Sequence, residues 1–253
     1  MEWKGYNRKG DVIFELKNGS GKIKEYNSDG NLIFEGEYVN GKRNGKGKVY
    51  NYKGKVEFEG EYLNGNKWSG KGYDKNNNIV YELNNGKGHV KEYDCSNGKL
   101  KFEGEYLNGK KNGKGKEFYY GKCIYEGEYL NGERNGKGKE YKNRELIFKG
   151  QYLNGKRNGK GKEYYDSGNL AFDGEYLNDK KYNGKGYDIT GNIIFEIFNG
   201  NGKVKEYYNG KLEFEGEYLN GKRNGKGKEY DDNGELIFEG KYTNGKKKLR
   251  RYK

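Results

Sequence analysis

The sequence contains no proline, and its 253 residues include one methionine, one histidine and two cysteines. Each scarcity excludes something. Without proline no ladder donor is lost along the chain, which suits uninterrupted strands. A lone histidine, His89, rules out multi-histidine metal sites, and no Cys-x-x-Cys accompanies it. Cys95 and Cys123 stand in different stretches, against a disulfide framework. No apolar run approaches the ~18 residues that a membrane span needs. The N-terminus carries no secretory apolar core either, so the expected location is cytoplasmic. Only 30% of residues are hydrophobic while 35% are charged, a balance that also occurs in disordered chains.

Against that poverty stand 45 glycines and 27 tyrosines, and they recur in step. Phe34 to Gly47 reads FEGEYVNGKRNGKG, and its start returns at Phe58, Phe102, Tyr125, Phe148, Phe172, Phe214 and Phe238. A short fixed period marks a unit that cannot bury a core alone and must stack on its neighbours. Phe34, Gly36 and Tyr38 alternate with Glu35 and Glu37, the period of a strand with aromatics on one face and carboxylates on the other. Asn40-Gly41 and Asn44-Gly45 both supply turn residues tolerant of positive φ, which puts a second strand at Lys46–Tyr50. The unit is then a β-hairpin, joined to the next by turns such as Asp166-Ser167-Gly168. The expected fold is all-β: an elongated solenoid of stacked antiparallel β-hairpins, a single-layer twisted sheet of about 11 repeat units. It runs over 1–253 as one array, without linker or second domain. The chain starts in mid-unit, where Trp3 is expected to cap the open end.

Three units, near 14–23, 81–90 and 195–204, depart from the pattern together. Each lacks four residues at the hairpin tip, and each exchanges two glycines for branched residues: Leu16 and Ile23, Leu83 and Val90, Ile197 and Val204. Glycine is needed where an aromatic presses on the strand, and a branched side chain where a void must be filled. These units read as altered layers that bend the stack or change its sheet packing.

Charge repeats as well. Glu35 and Glu37 can face Lys46 and Lys48 across the hairpin, a ladder worth roughly 0.2 to 1 kcal/mol per pair. Strict alternation puts Tyr50 on the same face as those lysines, so either a bulge intervenes or the Tyr lies under the lysine stems. The net charge of +13 then comes from the tips: Lys42, Arg43, Lys110, Lys111, Arg134, Lys156, Arg157, Lys180, Lys181, Lys222, Arg223, Lys246 and Lys247. Stacked hairpins would align them into one basic ridge able to meet an anionic partner, or to solubilise the edge. The tail 246–253 is expected to replace the last second strand with charge.

Catalytic signals are missing. The carboxylate pairs repeat in unit after unit, whereas a catalytic pair should be a local exception. Gly65 to Gly70-Lys71 has the spacing of a phosphate-binding loop, but Gly72 stands where Ser or Thr should hold magnesium and no helix follows. No cofactor, metal or enzymatic activity is expected.

The pattern aromatic-Glu-Gly-Glu-Tyr-Leu-Asn-Gly-Lys-Arg-Asn-Gly-Lys-Gly, seen at Phe214 to Gly227 and nearly unchanged at Phe148 to Gly161, resembles the MORN (membrane occupation and recognition nexus) repeat. The resemblance covers essentially the whole chain. It implies an extended twisted antiparallel sheet of the kind found in cytoskeletal and membrane-associated scaffolds. The expected function is therefore a scaffold binding a protein partner. The alternative is peripheral recognition of anionic phospholipid by the ridge, at about 1 kcal/mol per basic residue. Nucleic-acid binding is the weakest reading, because the tips lack interleaved aromatics and the faces carry many carboxylates.

Overall fold

The computed structural model describes residues 2–6, 12–51, 53–94, 97–208 and 210–248. Among them lie 23 strands and no helix, hence no helix long and apolar enough to cross a membrane. The chain forms two compact units, Met1–Cys123 with Glu128–Glu133, and Ile124–Gly127 with Arg134–Lys253.

In the first unit, β1 (Glu2–Tyr6) pairs with β2 (Val12–Lys17), and β3 (Gly21–Tyr26), β4 (Leu32–Val39), β5 (Lys42–Tyr50), β6 (Val56–Leu63), β7 (Asn66–Tyr73) and β8 (Ile79–Leu83) pair in that order. Pairing resumes with β9 (Gly88–Tyr93), β10 (Leu100–Leu107) and β11 (Lys110–Tyr119). The division between units falls in β12 (Lys122–Leu130). In the second unit, β13 (Glu133–Lys142), β14 (Glu145–Leu153), β15 (Lys156–Tyr164), β16 (Leu170–Leu177), β17 (Lys180–Tyr187) and β18 (Ile193–Ile197) pair consecutively. They are followed by a second run of β19 (Gly202–Tyr208), β20 (Lys211–Leu219), β21 (Lys222–Tyr230), β22 (Leu236–Thr243) and β23 (Lys246–Lys248). All pairs are antiparallel hairpins.

One turn makes each hairpin, not two. Asn40 and Gly41 hold φ values of 52° and 72°, the left-handed pair of a two-residue turn whose twist matches the strands it joins. Asn44-Gly45 is instead a bulge inside β5, which begins at Lys42 rather than Lys46. Pairing jumps from Gly36↔Gly47 to Tyr38↔Arg43, so Glu37 alone faces Asn44, Gly45 and Lys46. Its Oε2 accepts the Lys46 amide at 3.1 Å. Gly45 is obligatory there: its φ is 92°, and a Cβ would lie 2.1 Å from Glu37 Oε2. At the other edge, the Asp166-Ser167-Gly168 turn forms as expected and closes with Gly168 N–H donating to Tyr165 O at 2.8 Å.

The core is a thin aromatic layer. Phe34, Phe58, Phe102, Tyr125, Phe148, Phe172 and Phe214 are wholly buried, each ring lying on a pair of glycines from adjacent strands. A Cβ on Gly150 or Gly161 would come within 2.5 or 2.6 Å of Phe148 Cζ. Tyrosines of the next unit meet these rings edge-on, as Tyr176 meets Phe148 at 5.2 Å and 87°, a favoured aromatic geometry.

The three short units are where sheet pairing breaks. Each retains a single bridge beside its turn, Lys17↔Ser20, Asn84↔Lys87 or Phe198↔Asn201, beyond which its strands part into different pairings. Leu16 and Ile23, Leu83 and Val90, Ile197 and Val204 are all buried, filling space between the parting strands. Here the rings also stack instead of meeting edge-on, with Phe172 and Phe195 at 6.2 Å and 21°. The final unit corrects one expectation. Lys246–Lys248 pair with β22 and so continue the hairpin instead of replacing it with a charged tail. Residues 249–253, the Trp3 side chain and Cys95 lie outside what the structure describes.

Candidate interaction surfaces

Placing the turn at Asn40-Gly41 makes Lys42 and Arg43 strand residues, and strand residues alternate between faces. Arg43 lies opposite Tyr38 and therefore on the aromatic face. Its guanidinium carbon sits 3.9 Å above the Phe34 ring, and its Nη2 reaches Glu25 Oε2 at 2.7 Å. The Tyr38 hydroxyl donates to the same carboxylate. The arrangement recurs. Arg157 lies 4.1 Å above Phe148, 2.6 Å from Glu140 and 2.8 Å from Glu163, and Tyr152 donates to Glu140 at 2.5 Å. Arg223 lies 4.1 Å above Phe214 and bridges Glu206 and Glu229. Lys181 does the same over Phe172, 2.7 Å from Glu163.

The second-strand glutamate is thus the acceptor that ties one unit to the next. Burial pushes the Glu140 carboxyl up, yet the hydrogen bonds from Arg157 and Tyr152 and the Arg157 charge outweigh it and hold Glu140 below the usual range. Tyr152 is pushed up by burial and by that same bond. The acceptor is not universal. Val49 stands where β11, β13, β15 and β21 have Glu, and the buried Tyr62 hydroxyl is left without a hydrogen-bond partner, as is that of Tyr176; burial chiefly raises the Tyr62 pKa to about 12.

This arrangement corrects the basic ridge. Arg43, Lys111, Arg134, Arg157, Arg223 and Lys247 are not a row of free edge charges but cover aromatic rings. Lys42, Lys110, Lys156, Lys222 and Lys246 do remain exposed at the tips. Beside them, within each unit, lie aliphatic residues that charge reasoning overlooked. Val39, Leu63, Leu107, Leu153, Leu177 and Leu219 are 39 to 50% exposed, and most pair across the turn with a tip lysine, as Leu153 does with Lys156. The available signal was an aliphatic residue, Val or Leu, before the turn pair of most full units, which is Asn-Gly except at Asn178-Asp179. Phe198, in the equivalent place of a short unit, is 73% exposed.

The opposite face carries the charge ladder. Lys24, Glu35, Lys48, Glu59, Lys71 and Glu82 alternate across β3 to β8, with Lys48–Glu59 at 3.3 Å and Lys71–Glu82 at 3.8 Å. Tyr50 does lie on this face, donating to Glu35. The irregularity belongs to β6, where Val49↔Phe58 gives way to Tyr50↔Val56 and Glu57 is the extra residue. Two rows of this ladder wall an open trough floored by Ile23, Gly36, Gly47 and Gly60. A like trough in the second unit is floored by Val204, Gly216, Gly227 and Gly240. Among the described residues no group of three or more His, Cys, Asp or Glu could hold a metal ion. His89 is an exposed ladder residue, 3.6 Å from Glu103. These surfaces offer repeated charge and apolar contact.

The family model for the MORN repeat matches residues 34–55, 102–123, 125–143, 148–170 and 214–235. No curated protein matches the chain. Among solved structures, a chain of the one titled "Crystal Structure of TcdB2-TccC3-TEV" is 10% identical over 90% of this chain and 15% of that chain, with a TM-score of 0.17. The chain thus spans a small fraction of that protein, and a score of that size carries no argument.

Proposed function

Because the chain is a MORN-repeat protein, built from a non-catalytic repeat type whose modules generally engage proteins or membranes, we propose that it is a non-enzymatic scaffold binding a protein partner along its hairpin tips. The observation that carries this reading is the set of half-exposed aliphatic residues, repeated beside the Asn-Gly turns. The hydrophobic effect favours burying such residues, and exposed apolar residues mark an interaction site where they adjoin one another rather than stand scattered singly. Adjacent hairpins repeat every two strands, about 9.6 Å, so a partner meets the same contact several times. Weak contacts then add.

The second reading, peripheral binding to anionic phospholipid, draws on Lys42, Lys110, Lys156, Lys222 and Lys246 beside those residues. Each basic residue near a charged membrane contributes about 1 kcal/mol.

The test compares the parent with a Leu153→Ser, Leu177→Ser, Leu219→Ser variant of unchanged circular dichroism. Pull-down from cytosol and sedimentation with anionic vesicles are run side by side. A protein retained by the parent and lost by the variant, with no vesicle binding, supports the scaffold. Salt-sensitive vesicle binding without such a protein supports the lipid reading. Equal retention by parent and variant refutes the tip edge as the docking surface.

A further inference from the structure

Two units break the charge ladder. The unit at Phe238 changes one position, reading Phe238-Glu239-Gly240-Lys241 and setting Lys241 opposite Lys226 and Lys248; where the remaining full units read aromatic-acid-Gly-Glu, the unit at Phe148 changes both, reading Phe148-Lys149-Gly150-Gln151. Its neighbours keep carboxylates at both places, Glu126 and Glu128 before it, Asp173 and Glu175 after it. The consequence is set by register. Lys149 lies directly opposite Lys139 on one side and Lys162 on the other, so three lysines stand abreast on β13, β14 and β15. Two residues along, Gln151 lies opposite Lys137, while Lys160 follows on β15. All five lysines are exposed. Lys162 also contacts Asp173 at 2.8 Å.

The substitution acts on charge alone. Gln151 Oε1 accepts the Lys160 amide at 2.8 Å, as Glu37 Oε2 accepts that of Lys46 at 3.1 Å. The bulge therefore keeps its acceptor and loses only the negative charge. Like charges directly opposite in a sheet are unfavourable, and nothing in the packing requires them here.

We propose that this patch binds an acidic segment of a partner protein, an extended stretch with Asp or Glu at alternate positions lying along β14. Alternate side chains of an extended chain are about 6.8 Å apart, the same step that separates the Lys149 row from the Gln151 row. One carboxylate then sits among Lys139, Lys149 and Lys162, and the next between Lys137 and Lys160 over the Gln151 amide. A membrane plane or a nucleic-acid strand extending past three strands would meet the flanking carboxylates, so the ligand is short and local. This assignment is independent of the tip-edge reading and stands on other residues.

The test uses a fluorescein-labelled peptide with six glutamates at alternate positions and the full chain, followed by anisotropy at low and physiological salt. A Lys149→Glu, Gln151→Glu variant restores the ladder. A Lys75→Glu, Lys87→Gln variant makes the same net charge change at exposed positions far along the sequence. At least a tenfold loss of affinity in the first variant and less than a twofold change in the second is expected, with the first melting no lower than the parent. Equal affinity of parent and ladder-restored variant overturns the proposal. So does tighter binding of anionic vesicles or single-stranded DNA that is abolished by the same two changes.

Discussion

Arg157→Met should destabilise the protein by about 2 to 4 kcal/mol, while Lys156→Met, its neighbour at the same tip, should change stability by no more than about 0.5 kcal/mol. The contrast follows from which face each residue occupies. Arg157 is 20% exposed, stacks 4.1 Å above Phe148 and reaches two glutamates at 2.6 and 2.8 Å. A cation over an aromatic ring contributes roughly 0.5 to 2 kcal/mol, and hydrogen bonds to charged groups about 1.5 to 3 kcal/mol. Methionine retains part of the contact with Phe148. It removes the shared cation of half-buried Glu140 and Glu163, leaving Glu163 to Lys181 at 2.7 Å and Glu140 to Arg134 at 3.8 Å, and a buried pair broken by loss of one partner is costly. Urea melts followed by circular dichroism give the global effect. Because repeat arrays need not unfold in one step, amide hydrogen exchange in β13 to β15 should show the loss locally. If the two variants were equally mild, Arg157 would be a free edge charge and the tie between units through Glu140 would be wrong.

Other consequences can be checked in the same way. Val49→Glu should stabilise the first unit by about 1 kcal/mol in thermal melts, by giving the buried Tyr62 hydroxyl an acceptor. Gly161→Val should cost roughly 1 to 3 kcal/mol or more, since its Cβ would press on Phe148, and Val90→Gly should also destabilise by opening a void. Glu57 is buried, and burial raises its pKa. The folded state therefore holds its proton more tightly than the unfolded state, and stability falls as pH rises through the raised value. Glu57→Gln should thus raise the melting temperature at neutral pH and leave it nearly unchanged at pH 4. Glu140 and Glu229 behave oppositely: burial pushes each up, but Arg157 with Tyr152 and Lys247 with Tyr242 bring them below the usual range. Their contribution is present above the ordinary carboxyl pKa and is lost as pH falls through the depressed values, so Glu140→Gln should lower the melting temperature at neutral pH and make little difference in acid.

The hairpins were legible because their signals are local. Alternation of Phe34, Gly36 and Tyr38 fixes a strand, and Asn40-Gly41 fixes its turn. The exchange of paired glycines for Leu83 and Val90 pointed to the places where sheet pairing breaks, since a glycine under a ring and a branched residue in a gap are opposite answers to one packing question. The tip charges were misread for an equally local reason. Asn44-Gly45 has the composition of a turn, and only the cross-strand register reveals that Glu37 closes it as a bulge. Moving the turn by four residues sends Arg43 to the other face. The acceptor role of Glu140 was hidden too, because its partners Tyr152 and Arg157 lie 12 and 17 residues ahead in sequence. Leu153 and Leu177 were visible but unremarked, as an aliphatic residue next to a turn ordinarily means nothing until its exposure repeats.

We propose that partners meet this chain along its hairpin tips. A photo-crosslinking amino acid placed at Leu177, or separately at Ser167 in the opposite turn row, tests it in the cell of origin. Adducts of defined mass formed from position 177 and not from 167 are the predicted result. Adducts from 167 alone, or equally from both, would contradict it.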